Sequence, residues 1–509
     1  MNLNLRSNLS RRQRPSVLVP MCAALGFFLL NALHLTAQER FDRARALIQQ
    51  KTTDGSVPSI SVAIAQHGKI LWEEGFGWAN REERVPATES TMYSLASISK
   101  PFTATGLMTL VQAGKIDLDK PINAYLGDAK LHARIGNADD ATVRRVANHS
   151  SGLPLHYQFF YNNEPYQKPS YDETILRYGN LVTIPGEHYQ YSNLGFGFIG
   201  YVLARVSGEN YPDFMRQNVF LKLGLTHTSV GLGPGLKQFQ AIRYDRKGLP
   251  IPPYDFDHPG ASAIYSSAHD LVRFGMFHLK DHLSDQTPIL TDASLDAMHR
   301  PTMTVAGKLA YGIGWFIEDR ADGYHTVSHT GSMPGVSTIL MLIPSEDIAA
   351  VVLVNGDVDR TTVLQVLDAL IQPLLPKWQA TPLPPSTAAA AYTPGFTPGP
   401  ELLGTWKGTM HTYEEDLPVT LTFLKSGDVH LQLGKEQTSL LNNVQFQDGW
   451  LSGTAWGDVA TEDARRRHAH DVLLSLKLRG DHLNGAVSAT ALGEVSVALT
   501  QWVDLEKQP

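Results

Sequence analysis

Six prolines among small residues, between positions 377 and 400, divide this chain of 509 residues into two unlike parts. Proline-rich segments stay extended and do not form a packed core, so the composition predicts a linker over 377–400. Residues 38–376 mix strand and helix patterns, whereas residues 401–509 consist of short strand-like runs separated by turns. The chain is therefore expected to fold as two domains of different architecture.

The first of these parts has strand patterns at both ends and helical patterns between them. Alternating residues at 58–65 and 69–77 predict a hairpin, and helices and long loops dominate 140–310. Strand patterns return at 312–317, 326–329, 336–343 and 349–354, and a helix is predicted at 361–374. This order predicts an α+β domain. The sequence alone leaves open whether the early and late strands share a sheet.

The second part predicts an all-β domain. About seven or eight short strands in roughly 105 residues are typical of an antiparallel barrel or sandwich. Ser426-Gly427-Asp428 and Arg479-Gly480-Asp481 are predicted hairpin turns. Leu403-Gly404-Thr405-Trp406 resembles the Gly-x-Trp opening of lipocalin-like barrels.

The N-terminus has the composition of a targeting segment. Four arginines precede an apolar stretch from Val17 to Leu35, and Leu35-Thr36-Ala37 fits a small-residue cleavage site. We therefore expect residues 1–37 to be a signal peptide and the mature protein to be periplasmic or secreted. The apolar stretch is about long enough to span a bilayer, which leaves an uncleaved membrane anchor as the alternative. The single cysteine, Cys22, lies here, so the mature chain is expected to lack disulfides.

A Ser-x-x-Lys box at Ser97 and Lys100 is the first candidate for chemistry. Pro101 follows it and is tolerated only in the first turn of a helix, which predicts that the helix begins near Ser97. The Ser97 hydroxyl would then lie at the positive end of the helix dipole, with Lys100 one turn away on the same face. A lysine shielded from water can take the proton of a serine hydroxyl and make it a nucleophile.

Two further boxes follow in the chain. Tyr-x-Asn occurs at Tyr161–Asn163, Tyr178–Asn180 and Tyr191–Asn193, and only the third lies at a loop-to-helix junction, where Asn193 could cap the helix. We interpret the first two as incidental. Later, His329-Thr330-Gly331 is predicted to end a strand, where glycine would let a substrate backbone approach and the N–H of Ser332 could contact an oxyanion.

The three boxes in this order resemble the serine β-lactamase and penicillin-binding-protein superfamily. Tyr191-Ser192-Asn193 is similar to the form found in class C β-lactamases, DD-peptidases and family VIII carboxylesterases. The resemblance covers roughly residues 40 to 375. It includes His149-x-Ser-Gly-Leu-Pro and Tyr311-Gly-Ile-Gly-Trp. It implies a β-lactamase/transpeptidase-like domain, an antiparallel sheet with helices on both faces and a helical subdomain.

The same resemblance implies roles for individual residues. Ser97 would form an acyl-enzyme, with Lys100 and Tyr191 moving its proton and later activating water. Asn193, His329, Thr330, Gly331 and Ser332 would bind substrate, with the N–H groups of Ser97 and Ser332 holding the oxyanion. Lysine, common in the third box of β-lactamases, is replaced here by His329. Histidine titrates near pH 6.5 and is not a permanent cation, which makes carboxylate recognition at this position doubtful.

The resemblance implies an exported serine hydrolase that cleaves a peptide, amide or ester, with a small-molecule or peptide substrate and no cofactor or metal. The alternative is a penicillin-binding receptor or degenerate homologue that acylates without turnover. No Gly-x-Ser-x-Gly elbow of an α/β-hydrolase is present, and His468, His470 and Asp471 are a weak metal cluster. A net charge of −7 does not favour nucleic-acid binding. Membrane contact is expected only through an uncleaved N-terminus, and the oligomeric state is left open.

Overall fold

A computed structural model describes residues 40–380, 396–491 and 497–509. The predicted signal peptide lies outside the described residues, as does most of the predicted linker. Export and cleavage therefore stay predictions. Within the described ranges, no helix is long and apolar enough to cross a membrane.

A nine-stranded antiparallel sheet forms the centre of the first domain, in the order β11-β12-β13-β14-β15-β16-β1-β2-β3. Its strands are β1 (Ser59–Gln66), β2 (Lys69–Asn80), β3 (Val85–Pro86), β11 (Met303–Ala306), β12 (Leu309–Tyr311), β13 (Phe316–Asp319), β14 (His325–Met333), β15 (Val336–Ile343) and β16 (Ile348–Val354). Pairing of β1 with β16 joins the early and late strands, which settles the question that the sequence left open. Both strands are buried on both faces almost throughout, so they lie in the middle of a layered core.

Helices cover both faces of this sheet, as predicted. The first domain contains α1 (Asp42–Thr53), α2 (Ser99–Gln112), α3 (Val143–Ala147), α4 (Tyr171–Tyr178), α5 (Asn193–Ser207), α6 (Tyr211–Met215), α7 (Pro259–Ser262), α8 (Ala268–Leu279), α9 (Asp292–Met298) and α10 (Arg360–Ile371). Side chains of α1 and α10 pack on one face, and α8 packs against β16 and β1 on the other. The remaining helices form the predicted helical part beside the sheet. Its short strands are β4 (Tyr93–Ser94), β5 (His132–Ala133), β6 (Tyr157–Tyr161), β7 (Asn180–Leu181), β8 (Thr228–Val230), β9 (Tyr254–Phe256) and β10 (Ile264–Ser266).

One predicted strand is wrong. The sequence indicated a strand over 312–317, but β12 ends at Tyr311 and β13 begins at Phe316. Gly314 between them has a φ of +81°, and a Cβ on it would lie 2.6 Å from the Cβ of Ala104 on α2. The chain bends here because only glycine allows both that conformation and that approach to the helix.

The second domain is a nearly closed antiparallel barrel, as predicted. Its strands are β17 (Gly404–His411), β18 (Asp416–Phe423), β19 (Val429–Leu433), β20 (Ser439–Leu440), β21 (Asn442–Gln447), β22 (Trp450–Trp456), β23 (Asp471–Arg479), β24 (His482–Ala491) and β25 (Val497–Lys507), with α11 (Glu462–Arg466) between β22 and β23. Trp406 is fully buried in it, and its indole N–H donates to the carbonyl of Leu402. Both predicted turns, at 426–428 and 479–481, join adjacent strands.

The barrel is joined to the first domain through β6. Tyr157 and Gln158 pair with Ala498 and Val497 of β25, and the other end of β6 pairs with β9. The Thr500 hydroxyl also donates to the carbonyl of Leu155 at 2.6 Å. A strand of the first domain therefore extends the sheet of the second, which gives the two domains a shared layer.

Candidate active site

Ser97 lies at the beginning of α2. Residues Ala96–Ile98 form a single 3₁₀ turn, and the α-helix starts at Ser99, two residues after the predicted position. Ala96 has a φ of +48°, a left-handed conformation that is unfavourable for a residue with a Cβ. Such strain is held only where the surroundings impose it, and it turns the half-buried Ser97 side chain into a cleft.

Lys100 is fully buried, and its amine contacts three oxygen atoms. Its Nζ lies 3.0 Å from Ser97 Oγ, 2.8 Å from Asn193 Oδ1 and 3.3 Å from the carbonyl of Ala261. Burial away from water lowers the pKa of Lys100 well below its usual value, which favours the neutral amine. A neutral amine has two N–H groups and one lone pair. Because Asn193 Oδ1 and the Ala261 carbonyl can only accept, they take the N–H groups, and the lone pair is left facing Ser97.

Tyr191 completes a cluster with these two residues. Its hydroxyl is hydrogen-bonded to Ser97, and Lys100 Nζ lies 4.7 Å from the centre of its ring. Burial raises the pKa of the Tyr191 phenol, which therefore stays protonated at neutral pH. Since burial favours the neutral form of both groups, Lys100 rather than Tyr191 is suited to take the Ser97 proton. Tyr191 is suited to donate one.

We expect Tyr191→Phe to lower kcat/KM about 100-fold, because the variant removes a proton donor but keeps the ring and the lysine base. Tyr189→Phe is a matched control. Its hydroxyl is buried in the same loop but makes no hydrogen bond within the described residues. Steady-state kinetics on an activated ester should show a loss in Tyr191→Phe alone. A Tyr191→Phe enzyme that retains wild-type kcat/KM would exclude the phenol from proton transfer.

Asn193 contacts Lys100 in addition to lining the cleft. It is the first residue of α5, and its Oδ1 accepts a hydrogen bond from Lys100, so its amide oxygen orients the base. The predicted helix cap is provided instead by Ser192, whose hydroxyl accepts from the N–H of Gly195. Asn193 also lines the cleft, and its amide NH₂ group is left as the donor that a substrate carbonyl could use.

His329 does not lie where substrate could reach it. It is buried, its Nδ1 donates to the carbonyl of Thr330 at 2.7 Å, and its Nε2 accepts from the Tyr311 hydroxyl at 2.9 Å. Burial and the nearby Lys100 lower the pKa of His329 to about 3, so the ring is neutral. His329 is therefore not suited to bind a substrate carboxylate, because its ring is neutral and both of its nitrogens already have hydrogen-bond partners.

The rest of the third box lies on β14, which continues to Met333 instead of ending at Gly331. Thr330 is half-buried, whereas Ser332 is exposed and lines the cleft beside Ser97. Met333 and Val336 close a two-residue turn, so the preceding pair, Ser332 and Ser337, is the non-hydrogen-bonded kind. The Ser332 N–H therefore points away from β15 and is available as the predicted oxyanion donor.

Gly331 has a different role from the predicted one. We expected this glycine to make room for a substrate, but the side on which a side chain would lie faces the segment of main chain that precedes Ser97. A Cβ at Gly331 would lie 2.1 Å from the carbonyl oxygen of Leu95 and 2.3 Å from Thr338 Oγ1. Thr338 Oγ1 also donates to that carbonyl at 3.1 Å. Glycine is thus needed so that β14 can pack against the segment holding the nucleophile.

A cleft of about 1000 Å³ opens above Ser97. One part of its wall is aromatic and apolar, with Phe159, Tyr161, Ile251 and Met333 packed together, whereas another part carries charged side chains that include Arg246 and Lys247. Asn163 lines the same cleft. The first Tyr-x-Asn, interpreted from the sequence as incidental, therefore lies on this wall, because β6 carries it there.

Residues of the barrel hold this wall in place. Arg467, buried after α11, donates to the carboxylate of Glu164 at 2.6 Å and to the carbonyl of Phe159 at 2.5 Å. Both partners line the cleft. The Tyr178 hydroxyl, in the second Tyr-x-Asn, donates to Asp463 of α11. The barrel thus supports the substrate side of the first domain rather than packing at a distance from it.

Sequence reasoning missed three buried residues around the cleft. His156, Asp257 and His258 are the one group of metal-ligand types that the described residues bring together, and His258 lines the cleft. The adjacent Asp257-His258 pair before Pro259-Gly260 was the available signal. His156, about 100 positions earlier, could not be linked to it without the fold.

Comparison with known proteins identifies the family and the fold of the first domain. The statistical model of the family described as Beta-lactamase matches residues 44–371. Protein flp of Staphylococcus aureus (strain N315) is 24% identical over 328 residues, which are 63% of each chain. The chain therefore spans less than two thirds of the length of this relative.

Two solved structures have the same fold. The octameric penicillin-binding protein homologue from Pyrococcus abyssi superposes with a TM-score of 0.58 at 20% identity, covering 91% of this chain and 99% of that one. A class C beta-lactamase in complex with cefoxitin gives a TM-score of 0.58 at 21% identity, covering 66% and 99%. The superposition on the Pyrococcus abyssi protein covers 91% of this chain and therefore extends beyond residues 44–371.

Proposed function

The chain belongs to the beta-lactamase family, and from this we propose that it is a serine hydrolase that cleaves an amide, peptide or ester through an acyl-enzyme at Ser97. The observation that carries the proposal is the position of the Ser97 hydroxyl, 3.0 Å from the amine of the buried Lys100 and hydrogen-bonded to the Tyr191 phenol, in an open cleft. These groups are what acyl transfer requires: a nucleophile, a base and a proton donor.

The steps follow from the protonation states. Ser97 Oγ bonds to the substrate carbonyl carbon as its proton passes to Lys100, and the N–H groups of Ser97 and Ser332 would stabilise the oxyanion. The leaving group departs with a proton from Tyr191, which regains one from Lys100. Water then attacks the carbonyl carbon of the acyl-enzyme and gives one proton to the neutral Lys100. The ester bond to Ser97 breaks, Ser97 Oγ takes that proton back from Lys100, and the acid product leaves.

The cleft also indicates what substrate would fit. Its aromatic and apolar wall favours an apolar group beside the scissile bond. No cationic side chain occupies the position of the third-box histidine, because His329 is buried and neutral. Arg246 and Lys247 line the cleft away from this position. We therefore infer esters, amides or peptides as substrates, with β-lactams as weak substrates or acylating inhibitors.

We expect a fluorophosphonate probe to label the wild-type protein at one site and Ser97→Ala not at all. Ser99→Ala is the control: this serine is buried two residues away, and its hydroxyl accepts the N–H of Ile264 instead of facing the cleft. The control should be labelled at a rate close to that of the wild type. Full-rate labelling of Ser97→Ala would refute the proposal.

Turnover separates the hydrolase from the receptor-like alternative. A panel of nitrocefin, p-nitrophenyl esters and D-Ala-D-Ala peptides should show steady-state product release on at least one substrate. A burst of one product per enzyme with no steady state would instead identify a protein that acylates and stops.

A further inference from the structure

The wall of the cleft contains a chain of three buried side chains. His156 Nε2 lies 2.7 Å from Asp257 Oδ2, and His258 Nδ1 lies 2.5 Å from Asp257 Oδ1. None of the three is more than 3% exposed. His258 nevertheless lines the cleft together with Ser97, Asn193 and Ser262.

The carboxylate determines where the protons of both rings lie. An ionised carboxylate only accepts hydrogen bonds, so each histidine must give it an N–H. The contacts with both histidines lower the pKa of Asp257, which keeps it ionised, and burial lowers the pKa of His258, which keeps that ring neutral. A neutral ring with its proton on Nδ1 has a bare lone pair on Nε2. That Nε2 is buried and has no hydrogen-bond partner within the described ranges.

Close packing fixes the main chain that carries this ring. A Cβ at Gly197 on α5 would lie 2.8 Å from His258 Cβ, and a Cβ at Gly260 would lie 2.4 Å from the carbonyl of Phe196. The two glycines let the turn at 258–260 lie directly on the helix that carries Asn193. On the other side, β25 of the barrel pairs with Tyr157, next to His156. The main chain at position 258 is therefore held against α5, and the hydrogen bond to Asp257 orients the ring.

A metal ion is a poorer explanation of the same three residues. The nitrogen–oxygen separations of 2.5 and 2.7 Å are hydrogen-bond distances. A tetrahedral zinc ion with bonds of about 2.0–2.1 Å holds its ligand atoms about 3.3 Å apart. The atoms facing each other are already paired, and the two ring nitrogens left unpaired, His156 Nδ1 and His258 Nε2, are the ones that do not contact Asp257. One lone pair in a cleft wall is suited to one donor of a bound molecule.

We propose that His258 Nε2 accepts a hydrogen bond from an N–H group of the substrate, so that peptide-like acyl groups or amide leaving groups are preferred over alkyl esters. This rests on the proposed function and deepens it. A substrate without that N–H would leave the buried acceptor unpaired and would bind more weakly for that reason. Such penalties discriminate strongly between substrates that have the N–H and substrates that lack it. His258 is thus a specificity residue, and Asp257 is a positioning residue that fixes its tautomer.

Two matched substrate pairs test this. p-Nitrophenyl N-acetylglycinate and p-nitrophenyl levulinate differ by NH against CH₂ in the acyl group. N-acetylglycyl-D-alanine and N-acetylglycyl-D-lactate differ by NH against O in the leaving group. His258→Asn keeps a donor for Asp257 but removes the Nε2 acceptor. It should lower kcat/KM about tenfold or more on the N–H member of at least one pair, and less than about threefold on its partner.

Further variants separate recognition from loss of structure. His258→Gln can place an amide oxygen near the Nε2 position and should restore much of the preference. Asp257→Asn can donate to Nδ1, which would move the ring proton to Nε2 and reverse the preference within that pair. His269→Asn is the control, since its Nδ1 also bonds a carboxylate, that of Glu73, but away from the cleft.

Equal losses on all four substrates in His258→Asn, with the control unchanged, would overturn the inference while Ser97 labelling remained normal. Absence of fluorophosphonate labelling in the wild type would overturn the proposed function itself, and this inference with it. Measuring the labelling rate of every variant distinguishes the two results.

Discussion

Lys100→Met should lower kcat/KM by about 10²- to 10⁴-fold on any substrate of the enzyme, the range expected when a general base is lost. The variant keeps a side chain of similar length in a fully buried position but has no lone pair to take the Ser97 proton. Its free energy of unfolding should change by less than about 2 kcal/mol, because the lost hydrogen bonds to Asn193 and Ala261 are offset by removal of a buried amine. Steady-state kinetics and urea denaturation test the two parts.

The pH dependence of the wild type shows which group is the base. Since burial lowers the pKa of Lys100 well below its usual value, the neutral amine forms at lower pH than it would in water, and kcat/KM should rise with pH through that lowered pKa and then level off. A lysine in water, with a pKa of about 10.4, would instead give a rate that rises tenfold per unit far into the alkaline range. So would Tyr191 as base, because burial raises its pKa.

Chemical rescue adds a second check on the same prediction. Lys100→Ala leaves space where the side chain was, and small primary amines should restore part of the activity in proportion to their free-base concentration. If Lys100→Met retains more than about a tenth of wild-type kcat/KM, or if the rate of the wild type keeps rising above pH 9, another group takes the proton.

The core of this site was predictable because it depends on local spacing. Ser97, Lys100 and Pro101 lie within one helical turn, so their relation follows from helix geometry whatever the rest of the chain does. Tyr191 was predictable only through the resemblance of the ordered boxes. Its contact with Ser97 depends on how the loop before α5 packs, which no local pattern determines.

The errors in the third box have a related cause. Successive residues of a strand face opposite sides, so His329 and Gly331 share one face, and Ser332 takes the other. The sequence shows this alternation but does not show which side is the cleft. The structure turns His329 and Gly331 inward, and only Ser332 reaches the cleft beside Ser97.

The roles of the barrel and of His258 lay beyond sequence reasoning for another reason. Arg467 reaches Glu164 across 303 positions, and His156 meets Asp257 across 101. The first contact reaches Glu164 just after β6, the strand that pairs with β25 of the barrel, and the second lies beside the pairing of β6 with β9. A strand that pairs with a strand of another domain has the same alternating pattern as a strand that pairs within its own domain. The sequence pattern of β6 therefore does not show which strand it pairs with.

Gly331→Ala should destabilise the protein by about 3 kcal/mol or more and lower the rate of Ser97 acylation by a factor of about 100. The added methyl group would overlap with backbone atoms that cannot move aside without disturbing the fold. The added Cβ would lie 2.1 Å from the Leu95 carbonyl, an atom of the main chain two residues before Ser97. The strand must therefore move away from the nucleophile and take the Ser332 N–H with it. Loss of one oxyanion donor costs about 10²- to 10³-fold in rate.

Gly233→Ala is the matched control for this glycine. Its nearest atom to an added Cβ is a side-chain carbon of Leu236 at 3.7 Å, so the change should alter the unfolding free energy by less than about 0.5 kcal/mol. Urea denaturation and the fluorophosphonate labelling rate measure both effects. Thr338→Ala combined with Gly331→Ala removes the side-chain clash but not the one with Leu95, so it should restore little. Recovery of full labelling in that double variant would show that Thr338, and not the approach to the nucleophile segment, requires glycine at position 331.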